Sequence, residues 1–308
     1  MTKMNKIEIS KKRSMLYTDI RSFFQKKDYL EVFTPILTEA LVPEHTIQTF
    51  ATSFENEFSG NKNLYLIPSP EVYIKKLLSE GFPSLFEITK CFRNSEQLGV
   101  IHNPEFTMLE YYTLNYDEND SLNLTKEMLK FLNIDYPVLK MSVRDAVLKY
   151  SELDLDKLQD CNELRKAAEK LNLLVSVNDE WDDVFNMIFC TYVETALPAN
   201  TLVFLTDYPR QVRCLAKRNG NYLRRWELYL NSIELANCFY EENEINLIKD
   251  YYLAEKSKIK PEKRIDENLI NEMSLLPKCS GVAMGLDRLL MIKYGLKDIK
   301  EVLLFPYN

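Results

Sequence analysis

From Cys279 a run of small residues, 279-CSGVAMG-285, reads as a strand stripped of bulk, and it passes directly into 286-LDRLLMIKYG-295, where Leu286, Leu289, Leu290 and Ile292 mark the buried face of a helix. Few folds need such a junction. It sets the guanidinium of Arg288 at a helix start, beside a backbone bare enough for a ligand to approach. Arginine grips phosphate bidentately and keeps its charge. An isolated Gly-x-Asp-Arg is equally a turn followed by a surface ion pair, so the rest of the chain has to decide between the two.

Two hairpins bear on that choice. Residues 85–94 and 105–116 alternate as strands and are joined by the polar loop 95–104. The alternation places Phe106, Met108, Glu110 and Tyr112 on one face, with Arg93 near the end of the partner strand. Residues 225–239 form the second hairpin, turning at Asn231-Ser232. A two-residue turn would set Leu230 opposite Ile233, Tyr229 opposite Glu234 and Glu227 opposite Ala236, making Glu227 and Glu234 diagonal neighbours roughly 7 to 8 Å apart. Two carboxylates so placed repel unless a cation lies between them. Hard oxygen ligands suit Mg²⁺, which keeps several waters and borrows further ligands from a nucleotide's phosphates. Glu241 falls on the opposite face of a regular strand, and joins them only if the chain turns or bulges near Asn237-Cys238. A solvated acidic strand face is the competing reading.

Elsewhere the chain sets bounds. Its 308 residues, 46% of them hydrophobic, suffice for one large core or two modest ones. Six cysteines without C-x-x-C spacing and two histidines argue against zinc and for reduced thiols buried as small hydrophobes. A net charge of -7 disfavours a protein that holds bare nucleic acid by counterion release. The charged N-terminus, and the want of any apolar run near the roughly 18 residues of a membrane span, place the expected protein in the cytoplasm. Residues 9–28 trace an amphipathic helix and 29–37 an extended edge ending near Pro35, a pairing that suits a subunit interface and a homodimer. Residues 64–81 read as a strand, a Pro-Ser-Pro turn and a helix with Glu71 in its first turn, where a carboxylate either receives an ammonium or complements the dipole. Helical periods over 121–197, with Ser142 as one N-cap, read as an insertion within a single domain spanning 1–308.

Taken together, 91-CFRNSEQLGVIHNPEFTMLEYY-112, 225-RWELYLNSIELANCFYE-241 and 279-CSGVAMGLDRLL-290 resemble motif 2, the lysine-pocket hairpin and motif 3 of class II aminoacyl-tRNA synthetases of the lysyl branch. Lysyl synthetases carry an anticodon-binding barrel ahead of the catalytic domain, whereas here a motif-like helix is expected from about residue 9, leaving no room for one. A free-standing domain with 277-PKCSGVAMGLDR-288 and 266-DENLI-270 is similar, over essentially the whole chain, to the elongation factor P lysine ligase family.

That resemblance implies an α+β fold built on an antiparallel sheet flanked by helices. It also implies ATP and Mg²⁺ as cofactors, and adenylation of lysine or (R)-β-lysine followed by transfer to a lysine of elongation factor P, without tRNA or membrane. Arg93, Arg288 and Glu234 would be catalytic, with Arg93 on the α-phosphate and Arg288 on the γ-phosphate. Phe106 would stack on adenine; His102, Asn103, Glu96, Leu235 and Gly285 would also belong to the ATP site, and Glu227 with Glu234 would hold Mg²⁺. Glu241 and Tyr112 would receive the substrate's side-chain ammonium, Glu71 beside Ser69 its other amine, with Asn237 and Ala283 completing the pocket. Ala283 stands where lysyl synthetases tend to have Gly, and its methyl suits a displaced amino group. The motif 2 loop is one residue longer than the common pattern, so Ser95 takes the usual acid position with Glu96 next, Val100 and Ile101 stand where an Arg is usual, and Cys238 replaces a frequent Gly. No residue declares itself the proton acceptor for the attacking lysine, Glu110 being one option. Two rivals remain: a stand-alone adenylating enzyme charging tRNA or forming a small amide, and a silent paralogue acting as a binding subunit.

Overall fold

The computed structural model describes residues 5–95, 99–259 and 264–307. The chain divides into two compact units, Met1–Ile134 with Glu241–Asn308, and Asp135–Tyr240. In chain order the first unit contributes α1 (Lys6–Gln25), β1 (Leu30–Glu31), β2 (Leu37–Thr38), β3 (Ala51–Phe54), β4 (Lys62–Leu66), α2 (Glu71–Ser79), β5 (Leu85–Phe92), β6 (Glu105–Leu114) and α3 (Glu118–Phe131). The second holds β7 (Val138–Ser142), α4 (Val143–Ser151), α5 (Cys161–Lys170), α6 (Trp181–Ile188), β8 (Leu202–Pro209), β9 (Arg218–Asn219), β10 (Tyr222–Leu230) and β11 (Ile233–Tyr240). The chain then returns to the first unit with α7 (Ile245–Lys258), α8 (Asn268–Ser274), β12 (Cys279–Gly285) and α9 (Leu286–Lys293). This is α+β architecture with largely antiparallel pairing, as the motifs implied.

In the first unit β5 and β6 form the expected long-looped hairpin, and β12 pairs antiparallel with the far side of β6. Asn5 caps α1 by accepting the Glu8 amide at 2.9 Å, which starts the helix ahead of the expected position. Its face of Leu16, Ile20, Phe23 and Phe24 is buried, and Phe24 stacks on Phe86 with ring centroids 4.9 Å apart. Arg13 of α1 reaches Asp287 at the start of α9 at 2.5 Å, and Asp287 also accepts the Thr107 amide of β6 at 2.7 Å. One buried carboxylate thus ties α1, β6 and α9 together. The extended stretch after α1 leaves the ladder sooner than expected. Val32 still donates to Phe86, but the amide and hydroxyl of Thr34 both go to buried Glu87 at 2.8 Å, and Pro35 has no N–H to give.

The helical run read over 121–197 is divided. α3 packs against α1 and β12 in the first unit, and Val138–Ser142 is a strand running parallel to β8. So short a segment does not betray its period; the backbone of β8 decides it. Ser142 caps α4, accepting the Asp145 amide at 3.0 Å. The second unit's core sets Trp181, Val184, Phe185 and Ile188 with Val143 and Val147 against Val203, Leu205 and Tyr229 of its sheet. Of the six cysteines, all free, Cys91, Cys238 and Cys279 are buried as expected, whereas Cys190 is exposed. Among the described residues no helix is long and apolar enough to cross a membrane.

Candidate active site

The pairing of β6 with β12 makes the site's floor in the first unit. Tyr112 lies opposite Gly281, Glu110 opposite Ala283 and Met108 opposite Gly285, so the alternation that puts a phenol and an acid on one face meets a column of small residues. At Gly281 the missing side chain is obligatory because its place is taken: a Cβ there would lie on the Tyr112 ring and 2.9 Å from Glu241 Oε1.

Around this floor three carboxylates gather. Glu110 accepts from Ser69 Oγ at 2.7 Å and from the Tyr112 hydroxyl at 3.2 Å, and Ser69 Oγ in turn accepts the Glu71 amide at 3.0 Å. Glu71 opens α2, and Glu241 follows the end of β11. Between these last two stands a residue the sequence analysis missed. Lys75, wholly buried, sets its Nζ 2.5 Å from Glu71 Oε1 and 2.8 Å from Glu241 Oε2. Its i,i+4 spacing from Glu71 was visible, but so was its place on the helix face shared with Val72, Ile74 and Leu78, where an apolar residue is expected. Burial pushes the Glu110 carboxyl up to about 8, reinforced by Glu71. Burial likewise raises Glu241 to about 7, with Lys75 pulling the other way. Burial would lower the Lys75 ammonium, but Glu241 and Glu71 outweigh it and hold its pKa above an ordinary lysine's.

The nucleotide candidates of the first unit lie at the far ends of the same strands. The Arg93 guanidinium sits 5.4 Å from the Phe106 ring centroid, a cation–π distance that brings together the two residues expected at phosphate and adenine. Arg288 Nε donates to the Ile101 carbonyl at 3.1 Å, which holds its side chain against the motif 2 loop, and its Cδ is 3.9 Å from where a Gly285 Cβ would be. Asn103 is occupied by structure: its amide donates to the Glu105 carbonyl at 2.6 Å and its oxygen accepts the Tyr307 amide at 3.0 Å. His102 sits in the same loop, partly buried. Glu96 lies outside the described residues. Ser95, at the usual acid position, adopts φ 60°. A cavity of about 950 Å³ lies along the opposite face of β6, where Glu105 and Thr107 meet Arg13, Tyr17 and the chain end, away from the carboxylate cluster.

In the second unit the β10–β11 hairpin turns at Asn231-Ser232, both with positive φ, as a two-residue turn requires. Tyr229 faces Glu234 as expected. Beyond it the register differs: Leu228 faces Ala236 and Glu227 faces Asn237, because Leu235 is an extra residue in a bulge. The irregularity that the spacing of the acids demanded therefore lies before Ala236, not at Asn237-Cys238. Glu227 is not a lone carboxylate. It accepts from the Tyr208 hydroxyl at 2.5 Å and the Tyr229 hydroxyl at 2.6 Å, and is ion-paired with partly buried Arg225, which also donates to Asn237 Oδ1 at 3.1 Å. Burial raises the Tyr208 and Tyr229 hydroxyls well above the ordinary range, with Glu227 adding to it, so both stay protonated as donors.

Arg225 is one cation beside Glu227, and among the described residues no three His, Cys, Asp or Glu side chains are grouped to hold a metal. Two carboxylates on one side of a hairpin fit a partial shell for Mg²⁺, whose other ligands would be phosphate oxygens and water. Leu235 itself is buried.

The family model for class II tRNA synthetases (D, K and N) matches residues 1–308. The elongation factor P–(R)-beta-lysine ligase of Buchnera aphidicola subsp. Schizaphis graminum is 34% identical, over 96% of this chain and 95% of that protein. The same-named ligases of Salmonella paratyphi A and Salmonella typhi are each 33% identical, over 96% of this chain and 94% of theirs.

Proposed function

The chain belongs to the class II tRNA synthetase family (D, K and N), and from that premise we propose that it is an ATP-dependent ligase that adenylates lysine or (R)-β-lysine and transfers it to a lysine side chain of elongation factor P; its relatives' names give elongation factor P and (R)-beta-lysine as the partners ligated. The observation that carries the reading is the cluster of buried Glu110 and Glu241 with half-buried Glu71 against Tyr112 and Gly281. An apolar or monoamine substrate has no use for three acids so placed.

In the first step the substrate carboxylate attacks the α-phosphorus of ATP and pyrophosphate leaves. That step asks for positioning and for offset of negative charge, and needs no side-chain nucleophile. Arg93 holds the α-phosphate, Phe106 stacks on adenine with His102 and Asn103 beside it, and Arg288, next to Gly285, takes the γ-phosphate. Glu227 and Glu234 would hold Mg²⁺, which when bound neutralises charge on the phosphates. Tyr208, Tyr229 and Arg225 keep the Glu227 carboxylate in place. Glu241 with Tyr112 receives one substrate ammonium and Glu71 beside Ser69 the other. Asn237 and Ala283 shape the pocket, and Glu96 belongs to the adenine side. In the second step the acceptor amine attacks the adenylate carbonyl carbon, the acyl–oxygen bond to AMP breaks, and the amine's proton goes to a carboxylate. Glu110 can take it only in its ionised form, which burial makes the minor form below about pH 8. The reading also makes the protein a cytoplasmic homodimer that uses no tRNA.

Amino-acid-dependent exchange of labelled pyrophosphate into ATP, run with L-lysine, (R)-β-lysine and the remaining amino acids, tests it. Exchange with a lysine isomer, followed by the matching mass increase on elongation factor P, is expected. ATP binding without exchange for any amino acid would sink the ligase reading and favour a silent paralogue.

A further inference from the structure

Lys75 is the only buried lysine among the described residues. An ammonium taken out of water is destabilising unless it is closely paired, and its neighbours on the buried face of α2 are Val72, Ile74 and Leu78. Its partners show what the charge does there. Nζ takes Oε1 of Glu71 and Oε2 of Glu241, one oxygen from each acid. Among the described residues neither Glu71 Oε2 nor Glu241 Oε1 has an ion-pair partner. Glu241 Oε1 lies where Tyr112 packs on Gly281, 2.9 Å from where a Gly281 Cβ would be. Glu71 is the more open acid, its side chain 21% exposed against 1% for Glu241. A further polar atom waits nearby: the buried hydroxyl of Tyr252 has no hydrogen-bond partner among the described residues, and Lys75 and Glu71 head the charges that act on it.

We propose that Lys75 is a specificity-determining positioning residue, a fixed internal cation that fills the inner part of the acid cluster and leaves one carboxylate oxygen at each end, so that the pocket accepts a substrate carrying two ammonium groups. This rests on the reading of the cluster as the substrate-ammonium pocket. A monoamine that docks at one end leaves the other oxygen buried and unpaired, and a site built for a polar group rejects analogues that lack it. With Lys75 removed, a single ammonium can settle between Glu71 and Glu241 and touch both. Monoamines then bind, and lysine binds with its inner ammonium too deep and its carboxylate short of ATP.

The test is calorimetric binding of cadaverine, pentylamine, L-lysine and norleucine to the wild-type chain, Lys75→Ala and Lys75→Gln, with the ATP-induced rise in melting temperature as the check on folding. The Gln variant keeps the volume and a donor if Ala unfolds. Wild type should prefer cadaverine to pentylamine, and lysine to norleucine, by at least about tenfold, and the variants should lose most of that preference. In pyrophosphate exchange with lysine the variants should lose kcat by more than about tenfold while KM moves little, the signature of misplaced binding. Equal diamine and monoamine affinity in wild type, or an unchanged preference in folded variants, overturns the inference. Wild-type chain that prefers cadaverine but exchanges with no amino acid would overturn the ligase reading instead, and leave the role of Lys75 standing.

Discussion

At the scale of single residues, the proposed ammonium pocket rests on a few charges, Glu241, Glu110 and Lys75 among them buried. Glu241 must be ionised to receive an ammonium, and burial holds its carboxyl near 7. The KM for lysine is therefore expected to fall as pH rises through about 7 in exchange assays, and Glu241→Gln to raise KM at least about tenfold with the ATP KM unchanged. Stability runs the other way. The Glu241 and Glu110 carboxyls, raised from 4.5 to about 7 and about 8, keep protons in the fold that the unfolded chain releases. Their contribution is full below about 4.5 and is lost as pH rises through those values, with a slope of up to about 1.4 kcal/mol per pH unit for each group. Urea titrations between pH 5 and 9 would show it. Gly281→Ala drives a methyl into the Tyr112 ring and Glu241 Oε1, and should cost about 1–3 kcal/mol and raise the lysine KM, with ATP binding kept. Lys75 was hidden at this scale because a lysine among helical apolar positions gives no sign of which acids lie across from it.

At the scale of elements, alternation made the β6 face legible. Phe106, Met108, Glu110 and Tyr112 share it, and the small residues of β12 answer them in register. The β10–β11 hairpin was legible only up to its turn, because a bulge adds one residue to one strand without changing the hydrophobic pattern that announces a strand. Pairing Glu227 with Asn237 places Arg225 in reach of both, a cluster that no spacing rule for regular strands describes. Caps, which are local, were readable. Ser142→Ala should cost about 1 kcal/mol, seen as a lower urea midpoint with exchange activity unchanged, since the Ser142 hydroxyl bonds the start of α4 and the backbone pairing with Thr206 of β8 is left in place.

At the scale of the molecule, the exposed faces of α1 and the segment after it bear on assembly. Ile7, Met15 and Phe33 are 71, 61 and 80% exposed, which is unusual for large apolar side chains so close in sequence. If this face meets a second copy, Phe33→Asp with Met15→Asp should halve the mass seen by sedimentation equilibrium while far-ultraviolet circular dichroism stays the same. The sequence by itself determined the α+β class, the strand–glycine–helix junction with Arg288, the hairpin carrying Arg93 and Phe106, and the family to which these belong. The junction and the hairpin rest on periodicity and turn chemistry carried by neighbouring residues, whereas the class and the family rest on the resemblance of the three motifs. Only the tertiary structure decided the division at Asp135 and Tyr240, the bulge at Leu235, and the partners of the buried charges, Lys75 with Glu241 and Arg13 with Asp287. Burial and Coulomb attraction act through space between groups far apart along the chain, and a linear pattern records neither.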